Sequence, residues 1–471
     1  MKPPPASLAD APAVQMMLPQ SVESGFKSKL NESQLYFIHL LTTKALRSGK
    51  PIHLFHPLKV RFLELQLGVK PRERQIQKLI DLGLVLVRTN EDGKETYEAG
   101  VRPKEYRLNE YFIDEIKEGK LAVVYSKANR PLSKRLYALR RIQREKAIVD
   151  QPLLQREYDW LTRLQFDKEQ AYAFQDQFEL TGRRGSKKYN RESAIRLEYD
   201  IQILSQLSTG DFTFNYNGTR LTTAVCNAMR EMRQCLRDSA GNSFIELDLK
   251  SSQLVFLCKA LVHYHKEGTQ SNIVRKLLEF TSESVDLSNL DGVVPSDTKA
   301  FINHVLHGDI YRELQINEQE YNDNWIAHSD GTLSKGFSIK ATKNYDSSRA
   351  DFKKVVMKEF LFNYYTRKQN FPKLSKVMSE TYPSVEHFLK LVAQESRNPK
   401  KSRDIANLTQ HYEAYFFHQT ALDALTTRFQ NREFYIVHDG IGVPEDILSE
   451  SKSMLGELLQ ESFSVKADLF K

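Results

Sequence analysis

The sequence predicts an α+β protein with more than one domain, and three observations support this fold class. The chain has 471 residues, which is more than a single hydrophobic core usually organises. Between residues 29 and 125, helical periodicity is followed by two short apolar segments around a turn. From about residue 211 onward, turn-rich segments alternate with strand-like stretches and long helices, a pattern typical of α+β folds.

These patterns divide the chain into four predicted segments. Residues 1–28 begin with the Pro- and Ala-rich run MKPPPASLADAPAV and are expected to be flexible. Residues 29–125 are predicted to form a helix-and-hairpin domain. Residues 126–210 are charged and helical in pattern, and residues 211–471 form a larger α+β domain.

The composition, with 40% hydrophobic and 27% charged residues, is that of a globular protein. A net charge of +8 favours a polyanionic partner, although many proteins without such a partner are also basic. No apolar run reaches the roughly 18 residues that a membrane span needs, and the N-terminus has no apolar signal-peptide core. Cys226, Cys235 and Cys258 lack metal-ligand spacing and are expected to be free thiols. We therefore expect a cytoplasmic or nucleoid-associated protein without a membrane partner.

Most of the residue patterns that predict helices, strands and turns in the helix-and-hairpin domain lie towards its end. A predicted helix through Ile76 and Leu79 ends at Gly83, a strand follows at residues 84–87, and a turn follows at residues 90–93. Helices followed by a β-hairpin are the order of a winged helix-turn-helix, whose last helix enters a nucleic-acid groove. The alternative is a solvated basic helix in a protein-interaction domain. The candidate nucleic-acid contacts are Arg72, Arg74 and Lys78 on the helix, and Lys94, Arg102 and Lys104 on or near the hairpin.

Two apolar strands of the larger domain each end in an aspartate. Asp248 follows the strand-like stretch FIEL and precedes a polar turn and an apolar helix, and Asp439 follows YIVH. A lone aspartate in such a place is usually a cap or turn residue. Two carboxylates that meet in one sheet repel each other unless a cation lies between them, and hard oxygen ligands favour Mg²⁺. Two Mg²⁺ ions on shared carboxylates are the arrangement for in-line phosphoryl transfer.

Five segments around these aspartates resemble, in the same order, motifs of the family A DNA polymerases and the bacteriophage-type single-subunit RNA polymerases. LDLKSSQLVFLCKAL resembles their first palm motif, and VHDGIGVPED resembles their third, in a His-Asp form closest to the RNA polymerases. Between them, HGDIYREL resembles an Asp-Ile-Tyr/His segment, and SRADFKKVVMKEFLFNYY resembles the second motif. Upstream, NGTRLTTAVCNAMREMRQCLR resembles the Gly-Arg segment before the first motif. The resemblance covers about residues 211–465.

The resemblance implies a right-hand polymerase fold, with palm and fingers in residues 211–471. The sequence pattern upstream predicts a winged-helix-like nucleic-acid-binding domain in residues 29–125 and a helical, thumb-like region in residues 126–210. The resemblance implies a nucleotidyltransferase that extends a nucleic-acid 3′ end with two Mg²⁺ ions, or Mn²⁺ in their place. The partners would be a DNA or RNA template-primer and NTPs or dNTPs. The small size favours a templated primase-polymerase, or a compact polymerase, of a plasmid, phage or mobile element.

The resemblance also implies roles for individual residues. Asp248 and Asp439 would bind the metals, with help from the backbone at Leu249, and His438 would contact the primer terminus. Gln253 would contact the nucleotide, and Gly440 is expected to let the chain turn sharply. Arg349 and Lys353 would lie on one helix face and bind the nucleotide phosphates, and Lys353 would also be the acid that protonates pyrophosphate. Lys354, Lys358 and Phe362 form a rival register on the same helix. Arg220 and Arg237 would contact the template or primer backbone.

The sequence departs from the family at the position that selects the sugar. Family A DNA polymerases carry a glutamate soon after the Ser-Gln of the first motif, whereas here Leu254 and Val255 follow Gln253. The sequence therefore leaves the choice between ribose and deoxyribose open. Two other functions remain open as well: a non-catalytic replication initiator or DNA-binding regulator, and a template-independent nucleotidyltransferase.

Overall fold

In a computed structural model the chain folds into two compact units, which are described separately. The first comprises Met1–Tyr216 and Thr222–Phe244, and the second comprises Asn217–Leu221 and Ile245–Lys471. The structure describes residues 11–47, 53–68, 70–96, 103–182, 191–210, 212–216, 220–268, 272–307, 310–314, 378–395, 404–464 and 469–470. Helices and small sheets occur in both units, which confirms the predicted α+β class. The finer division into four segments stays a prediction.

The first unit combines short strands with helices of up to 20 residues. Its strands are β1 (Gln15–Pro19), β2 (His56–Pro57), β3 (Val85–Val87), β4 (Glu105–Leu108), β5 (Leu121–Tyr125), β6 (Gln165–Phe166), β7 (Phe214–Tyr216), β8 (Leu221–Thr223, at its boundary) and β9 (Leu236–Arg237). Its helices are α1 (Glu32–Arg47), α2 (Val60–Leu67), α3 (Gln77–Asp81), α4 (Glu110–Lys117), α5 (Pro131–Asp150), α6 (Leu154–Arg163), α7 (Lys168–Gly182), α8 (Arg191–Leu204), α9 (Ala224–Asn227) and α10 (Arg230–Arg233).

From α1 to β4, the elements follow one another in the order helix, strand, helix, helix and hairpin. Strands β2, β4 and β3 form an antiparallel sheet in that order, so the first strand pairs with the last. A π-helical turn, Arg72–Ile76, leads into α3, which ends before Gly83 in the left-handed region with φ 68°. The Leu84 N–H donates to the Leu79 carbonyl, which satisfies a carbonyl that the helix end would leave without a partner. The glycine therefore stops α3 where the sequence predicts.

The N-terminal segment corrects one expectation. Residues 1–28 were expected to be flexible, yet Gln15–Pro19 form strand β1, and Val22–Phe26 form a π-helical turn. Strand β1 pairs antiparallel with β5 along its whole length, from Gln15 opposite Tyr125 to Pro19 opposite Leu121. Met16, Met17 and Leu18 are at most 3% exposed, so burial of apolar surface fixes this segment.

The second unit has long helices around one three-stranded sheet. Its strands are β10 (Phe244–Asp248, beginning at the boundary), β11 (Tyr435–Val437) and β12 (Gly440–Pro444). Its described helices are α11 (Ser252–Glu267), α12 (Ile273–Glu279), α13 (Ser296–Leu306), α14 (Ile310–Glu313), α15 (Pro383–Glu395), α16 (Asp404–Tyr415), α17 (Leu422–Arg428) and α18 (Leu448–Phe463). Helix α11 has buried residues on every face between Leu254 and His263, because other helices surround it.

The sheet of the second unit has the order β10-β12-β11. Strands β11 and β12 form an antiparallel hairpin in which Val437 lies opposite Gly440 and Tyr435 lies opposite Gly442. A side chain on Gly442 would place its Cβ 2.2 Å from the ring of Tyr435, so the aromatic ring occupies the space above this glycine. The Tyr435 hydroxyl donates to Glu246 on β10 at 3.2 Å, which ties the hairpin to the first strand.

None of the three cysteines forms a disulfide, as predicted, and burial raises the pKa of each thiol, to about 11 for Cys235. Buried thiols with raised pKa values are poor nucleophiles, so they act as small apolar side chains. Among the described helices, none combines the length and the apolar character that crossing a membrane requires.

We predict that Gly442→Ala destabilises the protein by about 2 kcal/mol, because the new methyl group must displace the buried Tyr435 ring. The matched control is Gly456→Ala on α18, where nothing lies within 4 Å of the added Cβ. This control should stabilise the helix by about 0.5–1 kcal/mol, since alanine has the higher helix propensity. Urea unfolding of both variants measures the difference. Equal midpoints would contradict the close packing of Tyr435 over Gly442.

Candidate active site

The two predicted metal-binding aspartates, 191 positions apart in the sequence, come together at one end of the three-stranded sheet. Asp248 is the last residue of β10, and Asp439 is the second residue of the turn between β11 and β12. The Leu249 N–H donates to the Asp439 carbonyl at 2.9 Å. This bond joins the two backbones next to the two carboxylates. Asp248 is half-buried and Asp439 is exposed, so both remain within reach of a ligand.

Gly440 allows this close approach, for a reason that differs from the expected one. Its φ is not in the left-handed region, so no sharp turn requires a glycine here. A Cβ at this position would lie 2.6 Å from Asp248 Oδ1 and 3.1 Å from the Leu247 carbonyl oxygen. Gly440 is therefore required because the Asp248 side chain packs directly on its Cα.

His438 takes the left-handed conformation of the turn, with φ 52°. Such a conformation is uncommon for a residue with a side chain and usually costs free energy. It occurs here in a two-residue hairpin turn, where a left-handed residue matches the twist of the strands. The turn thus places His438 directly beside Asp439, and its predicted contact with a primer terminus stays a prediction.

A buried carboxyl group that the sequence did not single out lies behind this pair. Glu413 on α16 has a side chain that is 3% exposed and accepts a hydrogen bond of 2.5 Å from the hydroxyl of Ser252, the first residue of α11. Its other oxygen lies 3.6 Å from an Nη of Arg220. Glu413 thereby connects α16 to the start of α11, four residues after Asp248. Glu413 lies among the buried residues of α16, next to Tyr412, and this burial, which only the structure shows, distinguishes it from a surface acid.

Burial raises the pKa of Glu413 to about 7. The hydrogen bond from Ser252 lowers it, the negative charge of Asp439 raises it, and Arg220 lowers it again. The contribution of Asp439 indicates that its negative charge acts on Glu413 from this end of the sheet. A carboxylate in that field is stabilised by a cation.

Two other predicted site residues, Gln253 and Arg237, have different surroundings. Gln253 is half-buried, and its Oε1 has no hydrogen-bond partner within the described part of the chain. Arg237 is in the first unit, where it donates to the carbonyls of Gln234 and Leu236 and lies 3.7 Å from Asp167. These interactions assign Arg237 a local structural role, and its predicted contact with nucleic acid stays a prediction.

Several predicted contacts lie on or near the surface of the first unit, or outside the described residues. Arg74 and Lys78 are exposed, and Lys78 donates to the Lys29 carbonyl at 2.9 Å. Lys104 forms an ion pair with Glu95 within the hairpin. The predictions that fall outside the described residues or side chains are those for Arg72, Arg102, Arg349, Lys353, Lys354, Lys358 and Phe362.

The donor set at the paired aspartates fits a hard divalent cation. It consists of two carboxylates and the backbone around Leu249, all oxygen donors of the kind that Mg²⁺ and Mn²⁺ take in proteins. Within the residues that the structure describes, no group of three or more His, Cys, Asp or Glu side chains is arranged to bind a metal. A cation here would therefore complete its coordination with water or substrate oxygens.

No family model and no curated protein matches this chain. Among solved structures, a match was found with the POL domain of Pol1 from M. smegmatis in a complex with DNA primer-template and dNTP. The sequence identity is 12% and the TM-score is 0.27. The match covers 63% of this chain and 54% of that chain, so this chain spans about half of that structure.

We predict that Glu413→Gln changes how stability depends on pH. The folded-state pKa of Glu413 is raised from 4.5 to about 7, so its favourable contribution is complete below about pH 4.5 and is lost as the pH rises through 7. Glutamine keeps an acceptor for Ser252 but carries no charge. The variant should therefore gain about 2–3 kcal/mol relative to wild type between pH 5 and pH 8. Urea unfolding at each pH measures this difference, and a constant difference would contradict the raised pKa.

Proposed function

We propose that this protein is a nucleotidyltransferase that extends a nucleic-acid 3′ end on a template by two-metal phosphoryl transfer. The observation that carries the proposal is the meeting of Asp248 and Asp439, held by the 2.9 Å bond from Leu249 N–H to the Asp439 carbonyl and by Gly440 against Asp248. Two carboxylates at a solvent-accessible sheet end are an unfavourable arrangement unless a cation joins them. The order of the motifs supports a palm-like role for this sheet and a fingers role for the chain between them.

In the proposed reaction, the primer 3′ oxygen attacks the α-phosphorus of an incoming nucleotide, and pyrophosphate leaves. Asp248 and Asp439 would hold two Mg²⁺ ions, with the backbone at Leu249 as a further ligand. When bound, such ions activate the attacking oxygen and neutralise charge on the transferred phosphoryl group.

Other residues would position the reactants around the two aspartates. His438, next to Asp439 in the turn, would hydrogen-bond the primer terminus or its phosphate, and Gln253 would contact the nucleotide. Arg349 and Lys353 would bind the β- and γ-phosphates, and Lys353 would give its proton to pyrophosphate. Lys354 and Phe362 belong to the rival register of the same helix.

The first unit would supply nucleic-acid binding through a winged-helix-like module at α1 to β4. Its sheet order, β2-β4-β3, and the position of α3 directly before the hairpin support this proposal. Arg74 and Lys78 are exposed near and on α3, and they would contact phosphates, which attract basic side chains without regard to sequence. Helices α5 to α8 would form the thumb-like region.

We predict that Asp248→Asn and Asp439→Asn each lower the rate of primer extension at least about 100-fold, or about 2.7 kcal/mol in activation free energy. Asparagine keeps the size of the side chain but removes the charge that would bind the metals. The assay uses primer-template, Mg²⁺ or Mn²⁺, and NTPs or dNTPs, with further reactions lacking template.

Asp446→Asn is the matched control for these two variants. Asp446 lies seven residues after Asp439 and forms an ion pair with Arg432, so its loss should leave the extension rate within about twofold. No product from wild type under any condition would overturn the proposed enzyme and favour a non-catalytic DNA-binding protein. Product without template would favour untemplated transfer.

We predict that Gly440→Ala lowers the extension rate at least about tenfold and raises the Mg²⁺ concentration needed for half-maximal rate. The added Cβ would lie 2.6 Å from Asp248 Oδ1, so the carboxylate must shift from its position against Gly440. Since its φ is not in the left-handed region, alanine suits the backbone and the effect should be local. A Mg²⁺ titration of both proteins measures the shift, with Gly456→Ala as control. An unchanged Mg²⁺ requirement would contradict the role of the Asp248 position.

A further inference from the structure

Helix α2 of the first unit exposes apolar side chains on the side that faces away from the core. Its buried residues are Leu63 and Leu67, which lie one turn apart on one face. Phe62 and Leu65, three residues apart on the opposite side of the helix, are 36% and 50% exposed. The helix is therefore apolar on two sides, and packing within the first unit accounts for only one of them.

Exposed apolar side chains are concentrated at this helix. Among the residues that the structure describes, eleven large apolar side chains are exposed, and four of them lie within twelve positions: Leu54, Val60, Phe62 and Leu65. The other seven are spread between residues 82 and 245. Isolated apolar side chains are ordinary on a protein surface, whereas a group of them on one element marks a surface that a partner covers.

The two charged residues of α2 indicate the kind of partner. Arg61 and Glu64 are both exposed and lie three residues apart beside the apolar pair. Within the described part of the chain, neither side chain has an ion-pair or hydrogen-bond partner. The helix thus presents one charge of each sign, whereas a surface that binds a nucleic-acid backbone or an anionic membrane is basic. This face therefore fits a partner that also carries both charges.

A second copy of α2, packed antiparallel about a two-fold axis near Leu63, is complementary to this face. With a rise of 1.5 Å per residue, the axis places Arg61 of one copy within about 1.5 Å of the height of Glu64 in the other. Phe62 and Leu65 of the two copies meet in the same way on the other edge of the face. Because a two-fold interface is isologous, each contact occurs twice. A parallel pair would instead place identical charges opposite each other, which is unfavourable.

We propose that the exposed face of α2 joins two copies of this chain in a symmetric, antiparallel dimer. Phe62 and Leu65 supply the apolar surface that is removed from water, and the pairs between Arg61 and Glu64 set the orientation of the two helices. Since each copy contributes few side chains, the interface is small, and the dimer forms at micromolar concentrations. It depends neither on the proposed transfer reaction nor on bound nucleic acid.

Sedimentation velocity of the full chain without nucleic acid, over roughly a 100-fold range of micromolar concentrations, tests this dimer. We expect the monomer to convert to a dimer as the concentration rises. Phe62→Ser should weaken the dimer at least about tenfold, because it removes an apolar contact twice. The matched control is Ile142→Ser on α5, which removes an apolar side chain that is 60% exposed and lies outside this face. The control should leave the dissociation constant within about twofold of wild type.

Exchange of the two charges distinguishes this arrangement from any other contact between copies. Arg61→Glu and Glu64→Arg should each weaken the dimer at least about tenfold, because each change places like charges opposite each other twice. The double variant restores both ion pairs in reversed form, so its dissociation constant should return to within about threefold of wild type. Both residues are exposed, so thermal unfolding should show that all three variants remain folded.

Three results would overturn the proposed dimer. The first is a wild-type chain that stays monomeric over the whole concentration range. The second is a set of single charge exchanges that dimerise as wild type does. The third is a double variant that remains as weak as the two single exchanges, since the contact between copies would then not pair Arg61 with Glu64.

Discussion

The hydrogen bond from Leu249 N–H to the Asp439 carbonyl is the interaction on which the candidate site depends. It joins the end of β10 to the turn of a hairpin that is 191 residues later in the sequence. The bond is possible because Gly440 has no side chain, so that the Asp248 carboxylate can pack against its Cα. The result is that two acidic residues lie next to each other at one end of the sheet, an arrangement that a bound cation would stabilise. The chemistry proposed for the protein follows from this one juxtaposition.

The rest of the second unit supports that arrangement through buried polar contacts. Glu413 is costly to bury as an anion, and its raised pKa reports that cost. The hydrogen bond from Ser252 and the ion pair with Arg220 offset part of this cost of burial, and they fix the start of α11 behind Asp248. Tyr435 has a comparable role on the other side, because its ring covers Gly442 and its hydroxyl reaches Glu246. These contacts therefore help to hold the two aspartates in place, because they fix the elements on which the aspartates lie.

In the first unit, the burial of apolar side chains orders a segment that the sequence predicts to be flexible. Strand β1 is held by Met16, Met17 and Leu18 in the core and by a full register with β5. The same strand carries Gln15, whose amide donates to Gln202, and the Gln202 amide in turn donates to the Glu198 carboxylate. The turn after β3 instead depends on local chemistry: Gly93 is in the left-handed region, the Lys94 N–H donates to the Asn90 side chain, and Glu95 pairs with Thr89.

The sequence by itself determined the α+β class, the end of α3 at Gly83, the turn after β3 and the strands that lead to Asp248 and Asp439. These features depend on periodicity and on turn residues that act within a few positions, so they can be recognised locally. Only the tertiary structure decided the pairing of β1 with β5, the role of Glu413 and the steric reason for Gly440. Each of these depends on a partner that is about 100 or more residues away, or on the space left by a neighbouring side chain. No local pattern specifies that partner, since long-range contacts are chosen by packing of the whole unit.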